Sequence, residues 1–320
     1  MKRFWAILIM LYSTSLIGQR SYYFVEVESQ DSAKYKLIFG DYEYNPTEIE
    51  FTKSLTKDIT NPEIFAQKIE SKLSTLDDNE RKIFIYIHGM WGHQGWYQEG
   101  VLSTFENKVF PEDNGPSIVL SLIWHSGIQY FDNVRHALNV GEFFAPIIDE
   151  IFSIPDTEID MLCHSMGNRV FQGIQSQLKT KTGSQPSIKD LYMVAADLEE
   201  DIFNSSQPLE DISNLASNVS IYVHNNDRSL GISKSLNENK RLGLNADKKV
   251  CLQDSCLAIV DVSIIQDNEG IGPSLSNHRY FYTSPTVRND LKLSLSNLPN
   301  PDRKVIDHPR RLQLLPLKEK

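Results

Sequence analysis

Ile159-Asp160-Met161-Leu162-Cys163-His164-Ser165-Met166-Gly167-Asn168-Arg169-Val170-Phe171 is the stretch that decides the fold. It opens as a short apolar run, the mark of a strand buried on both faces. Cys163-His164-Ser165-Met166-Gly167 is then a small-x-Ser-x-Gly turn, and Val170, Phe171, Ile174 and Leu178 recur at helical spacing. Strand, sharp turn and helix follow one another within twenty residues. Working outward, residues 82–87, 117–124, 191–196, 219–223 and 257–262 are further apolar runs of strand length. Helical patterns separate several of them, including one over residues 132–152 that Pro146 should kink or split. This alternation predicts a mostly parallel, twisted sheet with helices on both faces. Ligands on such sheets bind at the carboxyl ends of the strands.

Those ends carry the reactive residues. In a turn of this kind the flanking positions must be small, and the serine is raised above the sheet with the next backbone N–H aimed at a developing oxyanion. Ser165 is therefore the candidate nucleophile and Met166 the candidate donor. His88-Gly89-Met90-Trp91-Gly92, after the 82–87 strand, would supply the second oxyanion donor from Met90 or Trp91, with His88 a hydrogen-bonded structural residue. In the chain order Ser, acid, His, the acid falls on Asp227 after the 219–223 strand. His278, in Asn277-His278-Arg279-Tyr280, is then the general base. Asp197, at the end of the preceding strand, is the alternative acid, and for either carboxylate the plain alternative is a helix cap or a solvated loop. Trp91, Trp96, Tyr97 and Trp124 lie in loops at this edge, and Trp91 and Trp124 are the candidate substrate-binding residues.

Composition narrows the classes. The chain has 320 residues, 40% hydrophobic and 23% charged, with a formal charge of −10, which offers no basic face for nucleic acid. No metal-ligand spacing, phosphate loop or dinucleotide fingerprint is present, so neither a metal nor a cofactor is expected. Lys2 and Arg3 precede an apolar run and Gly18, the pattern of a secretory signal peptide over residues 1–18. An exported protein, periplasmic or extracellular, is expected, with no stable membrane span after cleavage. Cys251 and Cys256 would then be able to bridge across a short hairpin. Residues 19–81 read as a β-rich extension that either joins the sheet or forms a lid, 82–290 as the catalytic domain, and 291–320 as a loosely ordered tail.

In order along the chain stand Ile87-His88-Gly89, Trp124-His125-Ser126-Gly127, His164-Ser165-Met166-Gly167-Asn168, Ala196-Asp197, Asn226-Asp227-Arg228-Ser229-Leu230 and Asn277-His278-Arg279-Tyr280. Over about residues 82–285 this series resembles a group of bacterial α/β-hydrolases known as domain of unknown function 900. His125, Cys163, Ala196 and Asn277 depart from that group's Pro, Ala, Pro and Gly, and none of these removes a catalytic side chain. The resemblance implies an α/β-hydrolase fold and a serine hydrolase cleaving an ester or related acyl bond through an acyl-enzyme on Ser165. The partner would be a small-molecule or lipid-like acyl substrate. A non-catalytic scaffold on the same fold and an acyltransferase are the alternatives.

Overall fold

The computed structural model describes residues 20–31, 34–56, 59, 61–178, 187–244, 256–269, 273–306 and 308–317. The expected signal peptide lies outside them, as does the Cys251–Cys256 bridge, because Cys251 is not among them.

One sheet of eleven strands organises the described residues. They are β1 (Ser21–Asp31), β2 (Lys34–Asn45), β3 (Glu50–Leu55), β4 (Lys82–Ile87), β5 (Ile118–Trp124), β6 (Glu158–His164), β7 (Ile188–Val194), β8 (Ala216–Val223), β9 (Leu257–Asp261), β10 (Arg303–Val305) and β11 (Arg311–Leu314). The spatial order is β10-β11-β9-β8-β7-β6-β4-β5-β1-β2-β3. Every pairing from β11 through β9, β8, β7, β6, β4 and β5 to β1 is parallel, and the edge pairings β10–β11, β1–β2 and β2–β3 are antiparallel. The helices are α1 (Pro62–Leu73), α2 (Gly95–Thr104), α3 (Tyr130–Phe152), α4 (Gly167–Leu178), α5 (Arg228–Asn237), α6 (Pro273–Thr283) and α7 (Pro285–Leu295).

The two faces of the sheet bury separate cores, sorted by the two-residue period of a strand. On β4, Ile83, Ile85 and Ile87 join α1, α3 and α4 in one core. Phe84 and Tyr86 point the other way, into a core with α2, α6 and α7. Apolar residues at every position of a central strand are thus required by helices on both sides.

The N-terminal extension belongs to the sheet. Its strand β1 pairs in parallel with β5 from Ser21↔Ile118 to Val27↔Trp124, and β2 and β3 continue outward as hairpins. The C-terminal tail, expected to be loose, is docked instead. Asp290, fully buried on α7, accepts from Arg303 Nε at 2.6 Å, Arg303 Nη2 at 2.9 Å, Asn300 Nδ2 at 2.7 Å and Tyr222 Oη at 2.6 Å. A charge-assisted fork on a buried carboxylate holds the chain at the place where β10 begins. Helix α3 passes unbroken through Pro146, because Pro146 and Glu142, whose carbonyl loses its donor, both face solvent. Strand β7 stops at Val194 rather than 196, since Ala195 turns away at φ 46°. Among the described residues no helix is long and apolar enough to cross a membrane.

Candidate active site

Ser165 occupies the turn between β6 and α4 at φ 54°, a left-handed conformation that residues with a Cβ rarely adopt. Several bonds impose it. Ser165 N donates to Val194 O at 2.9 Å, and its carbonyl accepts from Asn168 N at 3.1 Å and Asp197 N at 3.2 Å. Asn168 Nδ2, fully buried, adds bonds to Cys163 O and Ser165 O, both at 3.0 Å. The small residue the turn demands is Gly167, where a Cβ would stand 2.5 Å from Ile87 O and 2.6 Å from His88 O. The His-Gly turn after β4 packs just as closely, a Cβ at Gly89 falling 2.8 Å from Ser165 Cβ. The two motifs are one construction.

Residues distant in sequence converge on the serine. His278, on α6, reaches Ser165 Oγ with Nε2 at 2.9 Å and Asp227 Oδ2 with Nδ1 at 2.7 Å. Asp227 is the N-cap of α5, and its other oxygen accepts from Leu230 N at 3.0 Å. Cap and histidine partner, posed as alternatives for this carboxylate, are both realised, one on each oxygen. That double engagement gives each oxygen a partner in a side chain only 1% exposed.

Asp197 is equally buried but lies on a different network. Tyr130 Oη donates to its Oδ2 at 2.8 Å, Ser233 Oγ to its Oδ1, and Arg241 Nε stands 3.7 Å away. None of its bonds goes to His278.

Two further histidines shape the site. His164, beside the serine, donates from Nε2 to the carbonyl of His278 at 2.8 Å, with the two rings 4.9 Å apart. Burial holds its pKa well below the ordinary histidine value, and the neighbouring His278 and Arg279 push the same way. It is a neutral tether on the backbone of His278, a role that adjacency to Ser165 in sequence does not reveal. His88 is stacked on Trp124 at an interplanar angle of 4°, accepts from Trp124 N at 3.1 Å and donates from Nδ1 to Gly89 O at 2.7 Å. Burial pushes its pKa down to about 3. Elsewhere His125 contacts Glu26, His93 packs on His125 at 4.7 Å, and His136 meets Tyr35 Oη at 3.2 Å.

The N–H groups of Met166 and Met90 carry no hydrogen bond among the described residues, whereas Trp91 N is committed to Ser126 Oγ at 2.7 Å. Of the two candidates in the second turn, this leaves Met90. The aromatic cluster divides. Trp91 is 51% exposed, its indole N–H on Gly127 O at 3.1 Å, and Trp96 is 66% exposed. Trp124, expected to contact substrate, is fully buried and donates its indole N–H to His88 O at 2.9 Å, so it supports the histidine turn from beneath and presents no face to a ligand. Tyr97 is likewise buried, against Tyr282. Among the described residues no group of three or more His, Cys, Asp or Glu side chains could hold a metal ion.

No curated protein and no solved structure matches the chain. A family model does match, over residues 63–294, which takes in β4 to β9, both motif turns, Asp227 and His278. With a mostly parallel sheet flanked by helices and a serine raised between strand and helix, the chain has the α/β-hydrolase fold and belongs to the family of α/β-hydrolases of unknown function, DUF900.

Proposed function

We propose that the protein is a serine hydrolase that cleaves an ester or related acyl bond through an acyl-enzyme on Ser165. The observation that carries this reading is the unbroken relay from Ser165 Oγ through His278 to the buried Asp227, at 2.9 and 2.7 Å. His278 Nε2 takes the hydroxyl proton as Oγ attacks the acyl carbonyl, then returns it to the leaving alcohol, and the same nitrogen activates water for deacylation. Asp227 keeps the other proton on Nδ1 and stabilises the imidazolium. The tetrahedral oxyanion is received by the N–H groups of Met166 and Met90, donors set before the reaction on a turn that cannot relax. His164 fixes the backbone of His278, which holds the base in register with Oγ.

The exposed rings of Trp91 and Trp96 support an apolar acyl moiety in the substrate. The basic and apolar pattern of residues 1–18 supports export to the periplasm or the medium.

The test is hydrolysis of p-nitrophenyl esters of graded chain length by the wild-type protein, Ser165→Ala and His278→Ala. Both variants are expected to lose ~10³-fold or more in kcat while circular dichroism stays unchanged. Equal rates in all three would remove Ser165 from the reaction.

A further inference from the structure

Ser165 and Asp227 stand at the heads of two different helices, the serine just before α4 and the aspartate as the cap of α5. The relay through His278 holds only while those helices keep their spacing. The loop that follows β7 reaches both of them. Asp197 N donates to Ser165 O at 3.2 Å, and the Asp197 carboxylate accepts from Ser233 Oγ on α5 and from Tyr130 Oη on α3, the latter at 2.8 Å. Each hydroxyl has one hydrogen, and both are given to this carboxylate. Asn237 Nδ2, one turn beyond Ser233, donates to Tyr130 Oη at 3.0 Å and closes the cluster.

A second route runs along the backbone. Gly243 N donates to Ala196 O, His224 N to Gly243 O and Asp227 N to His224 O, each at 3.0 Å. A Cβ at Gly243 would stand 2.2 Å from Ala196 N, so the approach is as close as the chain allows. Glu199 ties in α4 as well, accepting from Arg169 at 3.0 Å and from Arg241, past the end of α5, at 2.8 Å. Asp197 is 2% exposed and Ser233 4%. Buried polar groups that satisfy one another resist rearrangement, because parting any pair leaves both members unmet. Reacting groups need such support, since a displacement of about 1 Å costs on the order of a hundredfold in rate.

We propose that Asp197, with Tyr130 and Ser233, is a positioning cluster that sets the spacing between the serine turn and the helix bearing Asp227. It acts through the carbonyl of Ser165 and through α5, with no bond of its own to His278. Its effect on rate rests on the hydrolase reading above, whereas its effect on the Asp227–His278 pair does not.

The variant Tyr130→Phe/Ser233→Ala removes both hydroxyls, and Tyr130→Phe alone, which keeps the half-buried ring, replaces it where the pair fails to fold. Ser294→Ala is the control, removing a hydroxyl that accepts from Tyr192 Oη at 3.0 Å in the core on the other face of the sheet. Solvent exchange of the proton on His278 Nδ1 is followed by NMR, its resonance assigned by its loss in His278→Ala. Exchange is expected to quicken about tenfold without the Tyr130 and Ser233 hydroxyls and to keep the wild-type rate in Ser294→Ala. In p-nitrophenyl ester hydrolysis, kcat is expected to fall about tenfold with KM held within about twofold. Exchange that is unchanged, or that Ser294→Ala quickens as much, overturns the proposal whatever the kinetics. Wild-type kcat in the variant, or a loss carried by KM, overturns it too. Quickened exchange in a protein that cleaves no ester even as wild type leaves the cluster standing and removes the hydrolase reading instead.

Discussion

Asp227 and Asp160 are buried carboxylates at opposite ends of the same sheet, 1% and 6% exposed. Asp227, past the carboxyl end of β8, has a histidine on one oxygen and a helix N-terminus on the other. Asp160, near the start of β6, stands opposite Asp190 on β7, and its Oδ1 has no hydrogen-bond partner. Burial first, and then the charge of Asp190, push its pKa up to about 8. Depth is therefore not what distinguishes these two carboxylates. Asp227 has an oriented partner on each oxygen, whereas burial and a like-charged neighbour raise the pKa of Asp160. The carboxyl edge of the sheet concentrates oriented donors and a strained turn, whereas the opposite edge buries one carboxyl beside another.

The largest effect is expected at the first of these edges. Asp227→Asn retains an oxygen to cap α5 but removes the charge opposite His278, so kcat should fall by ~10⁴-fold with little change in melting temperature. A loss of only a few-fold in ester hydrolysis would place Asp227 with the caps.

Next is Gly167→Ala, whose added methyl would lie 2.5 Å from Ile87 O and force the elbow away from the His-Gly turn. Denaturant unfolding should show a loss of ~2–4 kcal/mol, with activity falling beyond what stability explains. Unchanged unfolding would mean that the two turns are not locked together.

At the opposite edge the sign reverses. A carboxyl whose folded pKa is raised holds its proton in the native state after the unfolded chain has lost it. Its contribution is present below the unfolded value near 4 and is lost as pH rises toward 8. Asp160→Asn should accordingly stabilise the protein by ~2 kcal/mol at pH 8 and by little at pH 4. His88, lowered to about 3 by burial, runs the other way, its contribution intact above pH 6.5 and lost as pH falls toward 3. Melting curves of wild type and Asp160→Asn at pH 4, 6 and 8 check this, and a gain independent of pH would contradict the protonated state of Asp160.

The smallest effect separates two tryptophans. Trp91→Ala should raise KM for long-chain esters several-fold and leave stability within ~1 kcal/mol. Trp124→Phe should instead lower stability and slow every ester alike, because it removes the support under His88.

The candidate site's geometry was legible where local grammar is strict. An apolar strand, a small-x-Ser-x-Gly turn and a helix permit few other arrangements, and chain order then pointed to Asp227 and His278. Burial was harder to read, because Trp124 looks like pocket material in sequence and becomes core only when β5 places it under His88. The C-terminal strands were missed for a related reason. Arg303–Val305 and Arg311–Leu314 are too short to show a period, and the first is held through Arg303 by Asp290 and Tyr222, a contact between residues up to 81 positions apart. The tether from His164 to His278 was hidden because it engages a backbone carbonyl, which leaves no signature in residue type.

The central claim, that His278 and Asp227 activate Ser165 as a nucleophile, is tested most directly by reacting the protein with a fluorophosphonate and mapping the adduct by mass spectrometry. A single adduct on Ser165 in the wild-type protein, strongly reduced in His278→Ala and Asp227→Asn, is the predicted result. No adduct on Ser165, or one that forms equally fast in the His278→Ala protein, would contradict it.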